Sequence, residues 1–102
     1  MVLLPGGVVP AQPAYAALLE VLGEQVDPVA KDLEVYAGDH PPADYSLDTE
    51  VAGILREADA HGFDRFHLVG YSGGGASSIA FAAKSIASFT VNVLFTSRVF
   101  EA

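Results

Sequence analysis

Gly70-Tyr71-Ser72-Gly73-Gly74 constrains this chain more than any other stretch, because of what flanks it. Before it, Phe66-His67-Leu68-Val69 reads as a short apolar strand. After it, residues 75–84 are mostly small and apolar and read as a buried helix. A sharp Gly-x-Ser-x-Gly turn between strand and helix is the setting of a nucleophile elbow. There the serine takes a strained backbone conformation that lifts its hydroxyl above the sheet. The residues two before and two after it crowd each other, so glycine is needed at Gly70 and Gly74, where a Cβ would clash. The plainer reading is a glycine-rich strand-to-helix turn that happens to hold a serine. The flanking pattern favours the elbow, and Ser72 is the candidate nucleophile.

The rest of the chain reads as a single small domain over residues 1–102. Val2-Leu3-Leu4 is a very short buried strand that ends at Pro5-Gly6-Gly7. A helix is expected from Pro13, with Tyr15, Leu18, Leu19 and Leu22 at helical spacing and Gly23 as its stop. Leu33, Val35 and Ala37 alternate with polar neighbours, the period-two signature of a half-buried strand. A proline-containing loop follows. The clearest helix is capped by Ser46 or Asp48, carries Leu47, Val51, Ile54, Leu55 and Ala58 on one face, and ends at Gly62. A last strand is expected over residues 89–95, with Phe89 and Phe95 at its ends. Strands and helices alternate, which predicts an α/β fold: a mostly parallel four-stranded sheet with helices on both faces.

Composition removes several functions. A net charge of −8 argues against nucleic acid and anionic membranes as partners. With no cysteine there is no disulfide, thiolate catalysis or cysteine-based zinc site. His61 and His67 straddle a turn and a strand, so no metal site is expected, and no cofactor is implied. A dinucleotide loop starting at Gly73 would need a third glycine where Ser78 stands and an acidic residue about 20 positions later, and neither is present. No apolar run approaches the roughly 18 residues of a membrane span. The apolar start lacks a basic flank, so a cytoplasmic protein without a signal peptide is expected.

Taken together, residues 2–84 resemble the N-terminal half of the α/β-hydrolase superfamily. Leu3-Leu4-Pro5-Gly6-Gly7 is similar to the family's loop after its third strand, with Pro5 where a histidine is usual. Residues 63–74 are similar to its fifth strand and elbow. The resemblance weakens over residues 85–96. It implies a partial α/β-hydrolase fold in which the first and third strands of this chain lie side by side, bringing Gly7 next to Ser72. It further implies that the backbone N–H groups of Gly7 and Gly73 form an oxyanion hole. A small-molecule acyl substrate, an ester or a close relative, is the expected partner.

The base is missing from that pattern. In the family the order is serine, then aspartate or glutamate, then histidine. No histidine follows Ser72 here, and the only later carboxylate is Glu101. His67 lies five residues back along the strand, roughly 16 Å away at about 3.3 Å per residue. His61 belongs to a helix end. His40, with Asp39 and Asp44 nearby, is on the correct rim, but a solvated loop is the preferred reading. The chain is therefore expected to be a fragment or truncated member of a serine hydrolase. The alternative from another class is a non-catalytic α/β module. In either case the strand over residues 89–95 would leave a hydrophobic edge suited to self-association or to a complementing chain.

Overall fold

The computed structural model describes residues 1–7, 9–23, 26–85 and 90–96, with backbone alone for 85 and 90–96. Its architecture is α/β, built on a small parallel sheet. Three strands form its body: β1 (Val2–Leu4), β3 (Arg65–Tyr71) and β4 (Thr90–Thr96). The two-residue β2 (Val29–Ala30) pairs outside β1, giving the order β2-β1-β3-β4. Every pairing is parallel. β1 and β3 are neighbours in register, with Val2, Leu3 and Leu4 opposite Leu68, Val69 and Gly70. That adjacency was expected, and it matters because it sets the ends of both strands at one rim.

The helices are α1 (Ala11–Ala14), α2 (Ala16–Leu22), α3 (Leu47–Ala60) and α4 (Gly73–Ser85). Alternation along β1 and β3 turns Val2, Leu4, Phe66 and Leu68 to one face. There they meet Ile54 and Ala58 of α3 and Phe81 of α4 in a single buried cluster. Phe66 and Phe81 sit with ring centroids 5.9 Å apart and planes tilted by 53°, the offset arrangement that aromatic quadrupoles favour. On the other face, Ala14 and Tyr15 border a cavity of about 240 Å³ together with Val69 and Tyr71. The Tyr15 hydroxyl donates to the Leu4 carbonyl at 2.6 Å and ties this end of the helix pair to β1. That face is covered only in part, since Arg65 and His67 are exposed.

Three expectations need correction. The helix expected from Pro13 begins two residues earlier and breaks at Tyr15, whose φ of −107° and ψ of 10° lie off the helical path. Asp32 Oδ1 accepts the Ala11 N–H at 2.7 Å and so anchors the earlier start. No residue of α2 is buried, so the Leu18, Leu19 and Leu22 spacing does not mark a core face. The second correction concerns Leu33, Val35 and Ala37, which do not form a strand. Pairing with β1 happens earlier, where Val29 N–H donates to Met1 O and Lys31 N–H to Leu3 O. Residues 34–36 then close a 3-10 turn, with Tyr36 N–H on Leu33 O at 3.0 Å. The turn buries Leu33 and half-buries Val35 just as a strand would, which is why the alternation misleads.

The third correction lies in α3. Its start at Leu47 and the Ser46 cap agree with expectation, and the Ser46 N–H donates to Thr49 Oγ1 at 3.2 Å. However, Leu47 and Leu55 are exposed, and the buried stripe is Glu50, Gly53, Ile54 and Ala58. The strand expected over 89–95 runs Thr90–Thr96, and Phe89 lies outside the described residues. Among the described residues no helix is long and apolar enough to cross a membrane.

Phe81 is fully buried at the meeting of α4 with β1 and β3, so Phe81→Ala is expected to cost about 3–5 kcal/mol. Urea denaturation compared with wild type reads this directly, and a loss below about 1 kcal/mol would place Phe81 outside the core.

Candidate functional site

β3 ends at Tyr71 and α4 starts at Gly73, which leaves Ser72 alone to turn the chain. Its φ is +53°, in the left-handed region that an L-residue with a side chain enters only under constraint. Its carbonyl accepts the Ala76 N–H at 3.1 Å, the first bond of α4, while its side chain stays exposed. The hydroxyl thus stands at the positive end of a 13-residue helix dipole, where developing negative charge is favoured.

The two glycines around it are compelled by close approach. A Cβ on Gly70 would lie 2.3 Å from Gly74 O and 2.4 Å from Ser78 Oγ. A Cβ on Gly74 would lie 2.5 Å from Pro5 O and 2.7 Å from Leu4 O. Strand, helix and the loop after β1 therefore meet backbone to backbone at this point. Ser77 and Ser78 pack beneath the turn and donate to the Gly73 and Gly74 carbonyls at 3.2 and 2.8 Å. Both are buried and satisfied, so they are structural.

The loop after β1 runs directly against the turn. A Cβ on Gly6 would stand 3.1 Å from the Ser72 Cβ and 2.9 Å from Tyr71 O. Sequence reasoning missed Gly6; its signal was the Gly-Gly pair, of which only Gly7 was taken. Gly7 has φ +55°, and its nitrogen lies 4.0 Å from where a Gly73 Cβ would stand. Gly7 and Gly73 line the same cleft, of about 330 Å³. Leu33, Val35 and Tyr36 at the 3-10 turn, with Tyr45 and the first α3 residue Leu47, form the cleft's apolar side. The structure thus brings Ser72, Gly73, Gly7, Gly70 and Gly74 together.

It brings no histidine to them. His61 follows α3, stacks on Phe63 at 5.4 Å and lies 3.5 Å from Glu57. His67 is exposed on β3, and His40 is exposed in the loop before α3. Among the described residues none of the three hydrogen-bonds to Ser72. Nor does any group of three or more acidic or histidine side chains among them stand ready to hold a metal.

The charged residues that support the cleft were not expected. Glu50 projects from the buried face of α3, is only 1% exposed, and accepts the Val35 N–H at 3.2 Å. Lys31, also buried, donates to Asp32 O at 2.8 Å and to Glu34 Oε2 at 3.2 Å, and Arg56 holds the other Glu34 oxygen. Burial pushes the Glu50 carboxyl above its ordinary range, and the Val35 amide, the Lys31 ammonium and the Tyr45 hydroxyl offset part of that rise. Burial likewise lowers Lys31, against the pull of Glu50 and Glu57. A signal for Glu50 existed, because it stands four and eight residues before Ile54 and Ala58 on the core stripe.

Compared with known proteins, the chain matches no family model, and no curated protein matches it. What the site can do follows from its own atoms: an exposed hydroxyl on a strained turn, backbone amides beside it, and an apolar cleft adjoining both.

Two outcomes follow. Ser72→Gly relieves the left-handed strain and is expected to raise stability by about 0.5–1 kcal/mol, whereas Gly74→Ala is expected to cost about 3 kcal/mol, both read from urea midpoints. Glu50 gives a pH dependence. Its folded pKa exceeds its unfolded one, so its contribution is complete below the ordinary 4.5 and is lost as pH rises through the raised value. Wild type should lose more melting temperature than Glu50→Gln between pH 4.5 and neutrality. Parallel curves for the two proteins would remove Glu50 from that account.

Proposed function

We propose that this chain carries the nucleophile and oxyanion-binding part of a serine hydrolase of the α/β-hydrolase type, acting by acyl transfer on an ester-like substrate. The observation that supports this most is the backbone of Ser72: a positive φ at the end of a parallel strand, with the side chain exposed at a helix N-terminus. Few other uses explain why a serine occupies a conformation that glycine adopts without strain. The strand order β2-β1-β3-β4 supports the same reading, because it brings the loop bearing Gly7 to the turn.

In this reading Ser72 Oγ bonds to the substrate's carbonyl carbon as the carbonyl π electrons move onto oxygen. The Gly7 and Gly73 N–H groups and the α4 dipole stabilise that oxyanion. Collapse of the intermediate expels the alkoxide or phenolate, and water then releases the acyl group. The Ser72 proton must leave as the first bond forms. Among the described residues no side chain hydrogen-bonds to Ser72 to take it, and in this reading water does. Triad enzymes stripped of their base retain roughly 10³–10⁴ over the uncatalysed reaction, which sets the scale expected here.

A second reading rests on β4, which stands last in the sheet order and has one edge unpaired among the described residues. Such an edge can add a strand from another copy or another chain. A non-catalytic module of this kind would tolerate Ser72→Ala and associate through residues 90–96.

The test is release of p-nitrophenol from short acyl esters by wild type and by Ser72→Ala. Slow turnover that disappears in the variant is the expected result. Equal rates from both proteins would reject Ser72 as the nucleophile, and concentration-dependent sedimentation would then favour the β4 reading.

A further inference from the structure

The cleft beside the turn has a composition that selects among acyl groups. Tyr36, Tyr45 and Leu47 are 48%, 38% and 50% exposed, and all three line it. Leu33 and Ala76 of α4 line it as well. None of its lining residues is charged. The nearest cations are already engaged, Lys31 by Glu34 and the Asp32 carbonyl, and Arg56 by Glu34. Behind the apolar wall stand the Glu34 and Glu50 carboxyls. An anionic acyl group would enter a space whose lining offers no counter-charge, since the cations and carboxyls behind it balance one another, and would bear a desolvation cost there.

Size is the second constraint. Small-molecule clefts run from about 300 to about 1,000 Å³, so at about 330 Å³ this one is at the small end. We infer that the cleft takes an uncharged aliphatic acyl group and excludes dicarboxylic acyl groups. The inference rests on the nucleophile reading for its orientation: with the carbonyl carbon at Ser72 and the carbonyl oxygen between Gly7 and Gly73, the acyl chain runs along the wall those glycines share. Specificity is then set by Leu33, Tyr36, Tyr45, Leu47 and Ala76, which line the cleft.

Two measurements test it. The first compares Ser72-dependent kcat/KM for p-nitrophenyl acetate, butyrate, hexanoate, laurate and hemisuccinate. The expected profile rises from acetate to hexanoate, and hemisuccinate falls about tenfold or more below butyrate. Ala76→Leu, an exposed and helix-compatible change, should shrink the preference for hexanoate over acetate. The second measures binding of N-methylhexanamide to Ser72→Ala by amide chemical shifts, which needs no turnover. Shifts at Gly7, Leu33 and Gly73, weakened by Ala76→Leu, are the expected outcome. Ser72-dependent hydrolysis with a flat chain-length profile and no amide binding overturns the acyl-group assignment and leaves the nucleophile standing. Amide binding in the cleft without Ser72-dependent turnover supports the cleft's preference and rejects the nucleophile.

Discussion

The contact between Gly70 and Gly74 holds the rest of the site in place. A methyl on Gly70 of β3 would enter the Gly74 carbonyl of α4, and one on Gly74 would enter the Pro5 and Leu4 carbonyls. Only with both methyls absent can the chain reverse within one residue, and that residue must then accept a positive φ. The strain at Ser72 is thus a consequence of packing around it, held by the β1–β3 register below and by α4 above. Constraint of this kind pre-organises a side chain, since the hydroxyl has nowhere to retreat.

The same approach fixes the loop after β1. Gly74 presses on the Leu4 and Pro5 carbonyls and Gly6 lies against Tyr71 and Ser72, so the loop after β1 packs on the turn. Parallel pairing of β1 with β3 makes this possible, because parallel strands end at one rim and their following loops meet there. The cleft is a by-product of that rim and of the 3-10 turn that borders it. The turn is held from behind by a buried carboxylate: Glu50 takes the Val35 amide that a sheet partner would otherwise have satisfied. Buried Lys31 and Glu50, with half-buried Glu34 and exposed Arg56, therefore shape an apolar cleft without lining it.

Legibility in the sequence followed the range of the interactions. The elbow could be read because its parts are consecutive: a strand, a serine between spaced glycines, and a helix of small residues. α3 was legible from its cap and its stop, though not in its full buried face, and α4 from its run of small residues. Where burial came from distant partners, local pattern misled. Leu33 and Val35 alternate as a strand does, yet Glu50, fifteen residues beyond Val35, captures the backbone into a turn. Leu18 and Leu22 have helical spacing, yet no described element packs over α2 closely enough to bury them.

Residues 70–74 alone determined that a serine would stand at a sharp strand-to-helix bend, because glycine spacing and side-chain volume are local properties. Only the tertiary structure decided what surrounds that serine. The register of β1 on β3 set Gly6 and Gly7 beside it, and the fold of residues 31–50 set an apolar cleft next to both. Those placements depend on contacts across more than 60 residues of chain, from Gly7 to Gly73, and no local periodicity encodes them.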